Sequence, residues 1–232
     1  MIAFHGDPAI KKRFVARVKA HAVADEIIHG VYWESGKGCA VGCTIHGSSH
    51  AAYETELGIP QILAYLEDRI FEGMRNGNSK EFPLRFISAI EPGADLSLVW
   101  YQFVHWLLVD PEDGVIKFAK TEKTKDAILK VASLYDRAAR GETVDRDEWL
   151  CARNIASAYA SAASAYAAAA AAAAAASAYA AASDASAYAA SAAADAIYTA
   201  AADVARRKAY KRQADKLVEL LAAAPAPLEG AA

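Results

Sequence analysis

Residues 21–50 read HAVADEIIHGVYWESGKGCAVGCTIHGSSH and hold four of the six histidines and two of the three cysteines of the chain. Reading this stretch decides the fold, because glycines at 36, 38, 42 and 47 interrupt helical periodicity here more densely than anywhere else. Its first part continues a helix that starts upstream. Asp7 is a capping residue, Pro8 suits a first helical position whose N–H would be unpaired anyway, and Gly30 is a natural stop. The expected helix covers residues 8–29. At 100° per residue Ile10, Phe14, Val18 and Ile28 share one arc, and His21, Asp25 and His29 fall on the same arc. Buried histidines and aspartates need partners. These three therefore either anchor the helix as a satisfied His–Asp pair or form part of a site in which Asp25 orients His21 or His29.

The second part, residues 31–49, reads as a glycine-rich loop carrying Cys39-x3-Cys43-x2-His46-x3-His50. Sulfur and imidazole suit zinc and other borderline-soft metals such as iron. As one helix the four residues would spread over about 16 Å, too far for one tetrahedral ion, so a metal site requires the loop to fold back. Three readings stand side by side. Cys39, Cys43, His46 and His50 are metal ligands, with metal-activated water and hydrolysis as the simplest chemistry. Cys39 is a nucleophile assisted by His21, Asp25 or His29. Or the cysteines are small buried hydrophobes in a structural loop. GKGCAVGCT is not a phosphate-binding P-loop, because no lysine follows its last glycine.

Working outward, Ser48 or Ser49 is expected to cap a short helix ending at Gly58, and Pro60 opens a helix ended by Gly73. In the latter Ile62, Leu63, Leu66 and Ile70 form the inward stripe, leaving Glu67, Asp68 and Arg69 outside. A short helix follows over residues 83–90. Asp95 caps the next, residues 96–109, which is apolar on nearly all sides and reads as a buried central helix with His105 as a core histidine. VIKFAKT, residues 115–121, reads as a short edge strand. Thr124 begins an amphipathic helix that ends at Gly141.

From Asp145, where Asp145 and Glu148 resemble a capping box, to Ala224 there is neither glycine nor proline, and residues 167–176 are ten consecutive alanines. Alanine has the highest helix propensity. A single helix of this length would run about 120 Å, so the expectation is a hairpin turning near Ser183 and Asp184. Tyr159, Tyr166, Tyr179, Tyr188 and Tyr198 either clamp the alanine seam or present an aromatic stripe to a partner. The architecture expected is all-α: a globular helical domain over residues 1–141, an alanine-rich helical hairpin over 142–224, and a flexible tail over 225–232.

A net charge of −3 argues against general nucleic-acid or anionic-membrane binding, although six basic residues lie between Arg206 and Lys216. Mean hydropathy is only +0.07. The longest strongly apolar segment, near residues 96–109, is shorter than the roughly 20 residues a membrane span needs. Three cysteines, an odd number, and the lack of an apolar run after the first basic residues point to the cytoplasm. Two main functions are compatible with these features, with nucleic-acid binding through the basic stretch 206–216 a weaker third. One is a metal- or thiol-centred site built from residues 8–29 and 39–50. The other is a non-enzymatic assembly protein that homo-oligomerises through its alanine-rich helices.

GKGCAVGCTIHG, ELGIP followed by LEDRIFEG, EPGADLSLVW, and the alanine/serine/tyrosine tract ending in RQADKLVELL together resemble a group of uncharacterised alanine-rich proteins of bacteria and bacteriophages. The resemblance covers most of the chain. It implies a prokaryotic or phage origin and a recurrent architecture, and no activity, cofactor or partner.

Overall fold

The computed structural model describes residues 1–74, 77–119, 121–160 and 203–226. The fold is mainly α. In chain order the helices are α1 (Pro8–Val23), α2 (Ala40–Ile45), α3 (Ala52–Leu57), α4 (Gln61–Met74), α5 (Phe82–Ala89), α6 (Val99–Val109), α7 (Glu122–Ala139), α8 (Arg146–Ala160) and α9 (Asp203–Ala222). One small antiparallel hairpin, β1 (Trp33–Glu34) and β2 (Lys37–Gly38), lies between α1 and α2. The expected turn near Ser183 and Asp184, and the tail beyond residue 226, lie outside the described residues.

The chain forms two compact units, residues 1–99 with 205–232, and residues 100–204. The boundary expected after residue 141 falls inside the second. In the first unit α1 packs on α2 and α5, and α4 packs on α2, α3 and α5. Its core is Phe14 and Val18 of α1, the whole of α2, and Leu63, Ile70, Phe71, Phe82 and Phe86 of α4 and α5. The C-terminal segment belongs to this unit. The Tyr210 ring lies where a Cβ on Gly73 would be, 2.2 Å away, and Arg85 donates to Asp215 at 2.9 Å. In the second unit α7 packs against α8. Tyr135 of α7 meets Trp149 of α8 edge-on with ring centroids 4.9 Å apart.

The first helix is shorter than its periodicity suggests. Asp7 caps it as expected, accepting from the Ala9 amide at 2.7 Å, but α1 ends at Val23 and Asp25 turns left-handed at φ 57°. The reason is tertiary. The Ile28 amide donates to the Gly38 carbonyl at 2.8 Å and the Gly38 amide donates to the Glu26 carbonyl at 3.1 Å. Residues 26–28 thus give their backbone groups to the hairpin instead of a helix, and buried backbone groups must pair somewhere.

Residues 31–49 are not a loop. Ser35 and Gly36 both take positive φ, as a two-residue type I′ hairpin turn requires, and α2 follows at once. Gly38 and Gly42 are there for close approach. A Cβ on either would sit 2.0 Å or 1.4 Å from the Tyr32 carbonyl oxygen, while the Cys39 amide donates to the Val31 carbonyl at 2.7 Å.

Three further expectations are corrected. Residues Val115–Phe118 form a 3-10 turn and not a strand. Thr121, not Thr124, caps α7, its hydroxyl accepting from the Thr124 amide. Ser48 and Ser49 do not cap α3, whose first turn carries no side-chain cap. At α8 the returning half of the capping box is present, the Asp145 amide donating to the Glu148 carboxylate at 3.1 Å.

Candidate functional site

The candidate residues gather into two centres on the first unit rather than one. The first lies between α2 and α4. Cys39 is the residue before α2. It is 1% exposed, yet it lines a cleft of about 170 Å³ with Gly30, Val31, Tyr32, Asp68 and Glu72. Burial pushes its thiol well above the ordinary range. The Asp68 carboxylate beside it opposes ionisation further, and the Gly42 and Val41 amides only partly offset this. A resting thiolate is thereby disfavoured.

Asp68 faces His50, with Oδ2 3.7 Å from the imidazole Nε2. The His50 ring is stacked on Tyr65 at 4.0 Å between centroids and met edge-on by Tyr32 at 5.5 Å. His50 Nε2 and Asp68 Oδ1 are buried without a hydrogen-bond partner. One residue along, Glu67 is fully buried and accepts from the Tyr53 hydroxyl at 2.6 Å. Burial pushes Glu67 up to about 8. The Tyr53 hydrogen bond works against that shift and the Asp68 charge adds to it. Strongly perturbed titratable groups concentrated beside a cleft mark a candidate functional site.

Placing Glu67 and Asp68 outside is therefore a correction. Glu67 stands four residues after Leu63 and three before Ile70, and Asp68 stands four after Ala64 and three before Phe71. Both spacings put them against the buried arc of α4. That periodicity was the available signal. Their charge argued the other way.

The second centre sits where α1 ends over the hairpin. His21 Nε2 is 2.8 Å from His46 Nε2, and His21 Nδ1 is 2.6 Å from Glu26 Oε2. Trp33 stacks on His46 at 4.5 Å between centroids and meets His21 edge-on at 5.4 Å. His46 takes a left-handed conformation as the residue after α2. Partial desolvation, then the charges of Arg17 and His21, lowers its pKa below the ordinary imidazole value. With His21 Nδ1–H donating to Glu26, the His21 Nε2 lone pair faces His46.

The remaining candidates go elsewhere. Asp25 orients neither histidine. It is exposed and bonded to Lys80, whose ammonium holds its carboxyl below the ordinary range; Glu26 does the orienting instead. His29 lies beyond the end of α1, stacked on Phe71 at 4.4 Å and bonded to the Phe71 carbonyl at 3.2 Å. Cys43 is buried and donates to the Gly38 carbonyl at 3.3 Å. Burial pushes its thiol up to about 11, which makes it a packing residue that pins β2. His105 is on α6, in the second unit.

Cys39, Cys43, His46 and His50 therefore do not face one point. Among the described residues no three His, Cys, Asp or Glu side chains converge as a multidentate metal site would require. Also among the described residues, no helix is long and apolar enough to cross a membrane. Comparison with family models, curated proteins and solved structures finds no match for this chain.

Proposed function

We propose that the chain is a thiol-centred enzyme of acyl transfer or hydrolysis, with Cys39 as the nucleophile and the Asp68–His50 pair as its proton acceptor. The observation that carries this reading is the placement of Cys39 in the wall of a cleft beside Asp68, with His50 Nε2 and Asp68 Oδ1 both buried and without a hydrogen bond. Unpaired buried polar atoms are costly and call for a role.

In the step proposed, the Cys39 thiol proton passes to Asp68, with the His50 imidazole behind it, as sulfur bonds to a substrate carbonyl carbon. The leaving group departs with that proton. Water, giving its proton to the same pair, then attacks the thioester carbonyl; the C–S bond breaks, the carboxylic acid leaves and that proton returns to the Cys39 sulfur. The thiol is protonated at rest, so the acylation rate is expected to climb with pH through the alkaline range.

The test is acylation of the full chain by a small activated ester, p-nitrophenyl acetate, followed by peptide mass spectrometry. The expected result is an acetyl group on Cys39, transient in the unaltered chain and absent in Cys39→Ala. Acetylation confined to Cys151, which is exposed, would overturn the reading.

The competing proposal, a homo-oligomer paired through the alanine-rich segment of residues 142–224, is supported by its composition. Sedimentation equilibrium tests it, and a strict monomer would remove it.

A further inference from the structure

We propose that His21 and His46 together bind one late first-row divalent cation of the zinc class through their facing Nε2 atoms, with solvent completing the coordination shell. The inference does not depend on the thiol reading. It rests on the His–His–Glu arrangement under the hairpin.

Two imidazole nitrogens from different elements, one at the end of α1 and one just after α2, point at each other at 2.8 Å. Zinc–imidazole bonds are about 2.0–2.1 Å, so two such ligands at a tetrahedral angle stand roughly 3.3 Å apart. The pair has to open by about half an ångström to admit the ion. It also has to hold the His46 proton on Nδ1, which leaves both Nε2 lone pairs inward. Metal-ligating histidines usually give the other ring nitrogen to a carboxylate or carbonyl. Glu26 fills that role for His21 at 2.6 Å.

The second ring is held by packing. Trp33 lies nearly parallel to His46, 14° from coplanar, and this restricts the rotation that would carry Nε2 away. His46 is exposed, so solvent can supply the remaining ligands. The nearby charges are mixed, Arg17 opposing a cation at His46 and Glu56 favouring it. Imidazole ligands select zinc, copper and nickel over magnesium and calcium.

The test uses chelator-treated, untagged full-length protein titrated calorimetrically with zinc chloride, with cobalt(II) absorption as a second readout. The expected result is about one equivalent bound. Binding is lost in His21→Ala and in His46→Asn, asparagine being chosen because it tolerates the left-handed backbone. Glu26→Gln weakens it about tenfold or more, and Cys39→Ala leaves it unchanged. In the unaltered protein, zinc is expected to shift the imidazole proton resonances of His21 and His46, a readout that needs no variant to fold. Absence of binding, binding that survives His21→Ala or His46→Asn in folded protein, or a thiolate charge-transfer band with cobalt that disappears in Cys39→Ala would each overturn the proposal.

Discussion

Cys39 and Glu67 show how one buried carboxylate neighbourhood sets two titrations. Asp68 is the second cause, after burial, of the raised Cys39 thiol. Asp68→Asn removes that negative charge and is expected to lower the thiol pKa. Alkylation of Cys39 by iodoacetamide at pH 8 should then become several-fold faster, while any acyl turnover should fall if Asp68 is the proton acceptor proposed above; an unchanged labelling rate would separate the two residues. Glu67 has a folded-state value of about 8 against an ordinary 4.5. Between those values the unfolded chain has released a proton that the folded chain keeps, so stability falls as pH rises through this window and is flat below it. Urea unfolding at pH 5 and pH 8 should show that loss, on the order of a few kcal/mol, and Glu67→Gln should flatten most of it. Asp25 carries no such weight, being exposed and paired with Lys80.

At the scale of elements, the hairpin and α2 depend on glycines that permit contact. A methyl group at Gly42 would lie 1.4 Å from the Tyr32 carbonyl oxygen, a backbone atom with little freedom to withdraw. Overpacking of this kind typically costs roughly 1–3 kcal/mol, occasionally more. Gly42→Ala is expected at or above the top of that range by chemical denaturation. Gly47→Ala, whose nearest neighbour is the tip of Ile45 at 4.0 Å, should be close to neutral. Because Tyr32 and Cys39 line the same cleft, Gly42→Ala should also reduce acetylation of Cys39. The same segment explains why periodicity overran the end of α1. Residues 24–29 are as compatible with a helix as residues 8–23, and only the presence of Gly38 as a ladder partner draws them off.

At the scale of the molecule, the C-terminal helix returns to the first unit. The Asp95 amide donates to the Pro225 carbonyl at 2.8 Å, and Tyr210 occupies the space over Gly73. Gly73→Ala is expected to destabilise by roughly 1–3 kcal/mol. In a Tyr210→Leu background the same substitution should cost much less, a non-additivity that a double-mutant cycle measures directly. Equal costs in both backgrounds would mean that α9 does not dock there. The exposed Arg85–Asp215 pair should contribute little beside it.

The helical class, the Asp7 cap, the α4 and α7 stripes, and the concentration of chemistry in residues 21–50 follow from the sequence alone, because propensity, capping and periodicity are local properties of the chain. Tertiary structure decided that Cys39 belongs with Asp68 and His50, that His21 belongs with His46 and Glu26, and that Cys43 and His29 serve packing. Those partners stand 5 to 29 positions apart, and a chain's local pattern does not encode which distant side chains share a cavity. Only packing of α1, the hairpin, α2 and α4 against one another brings them together.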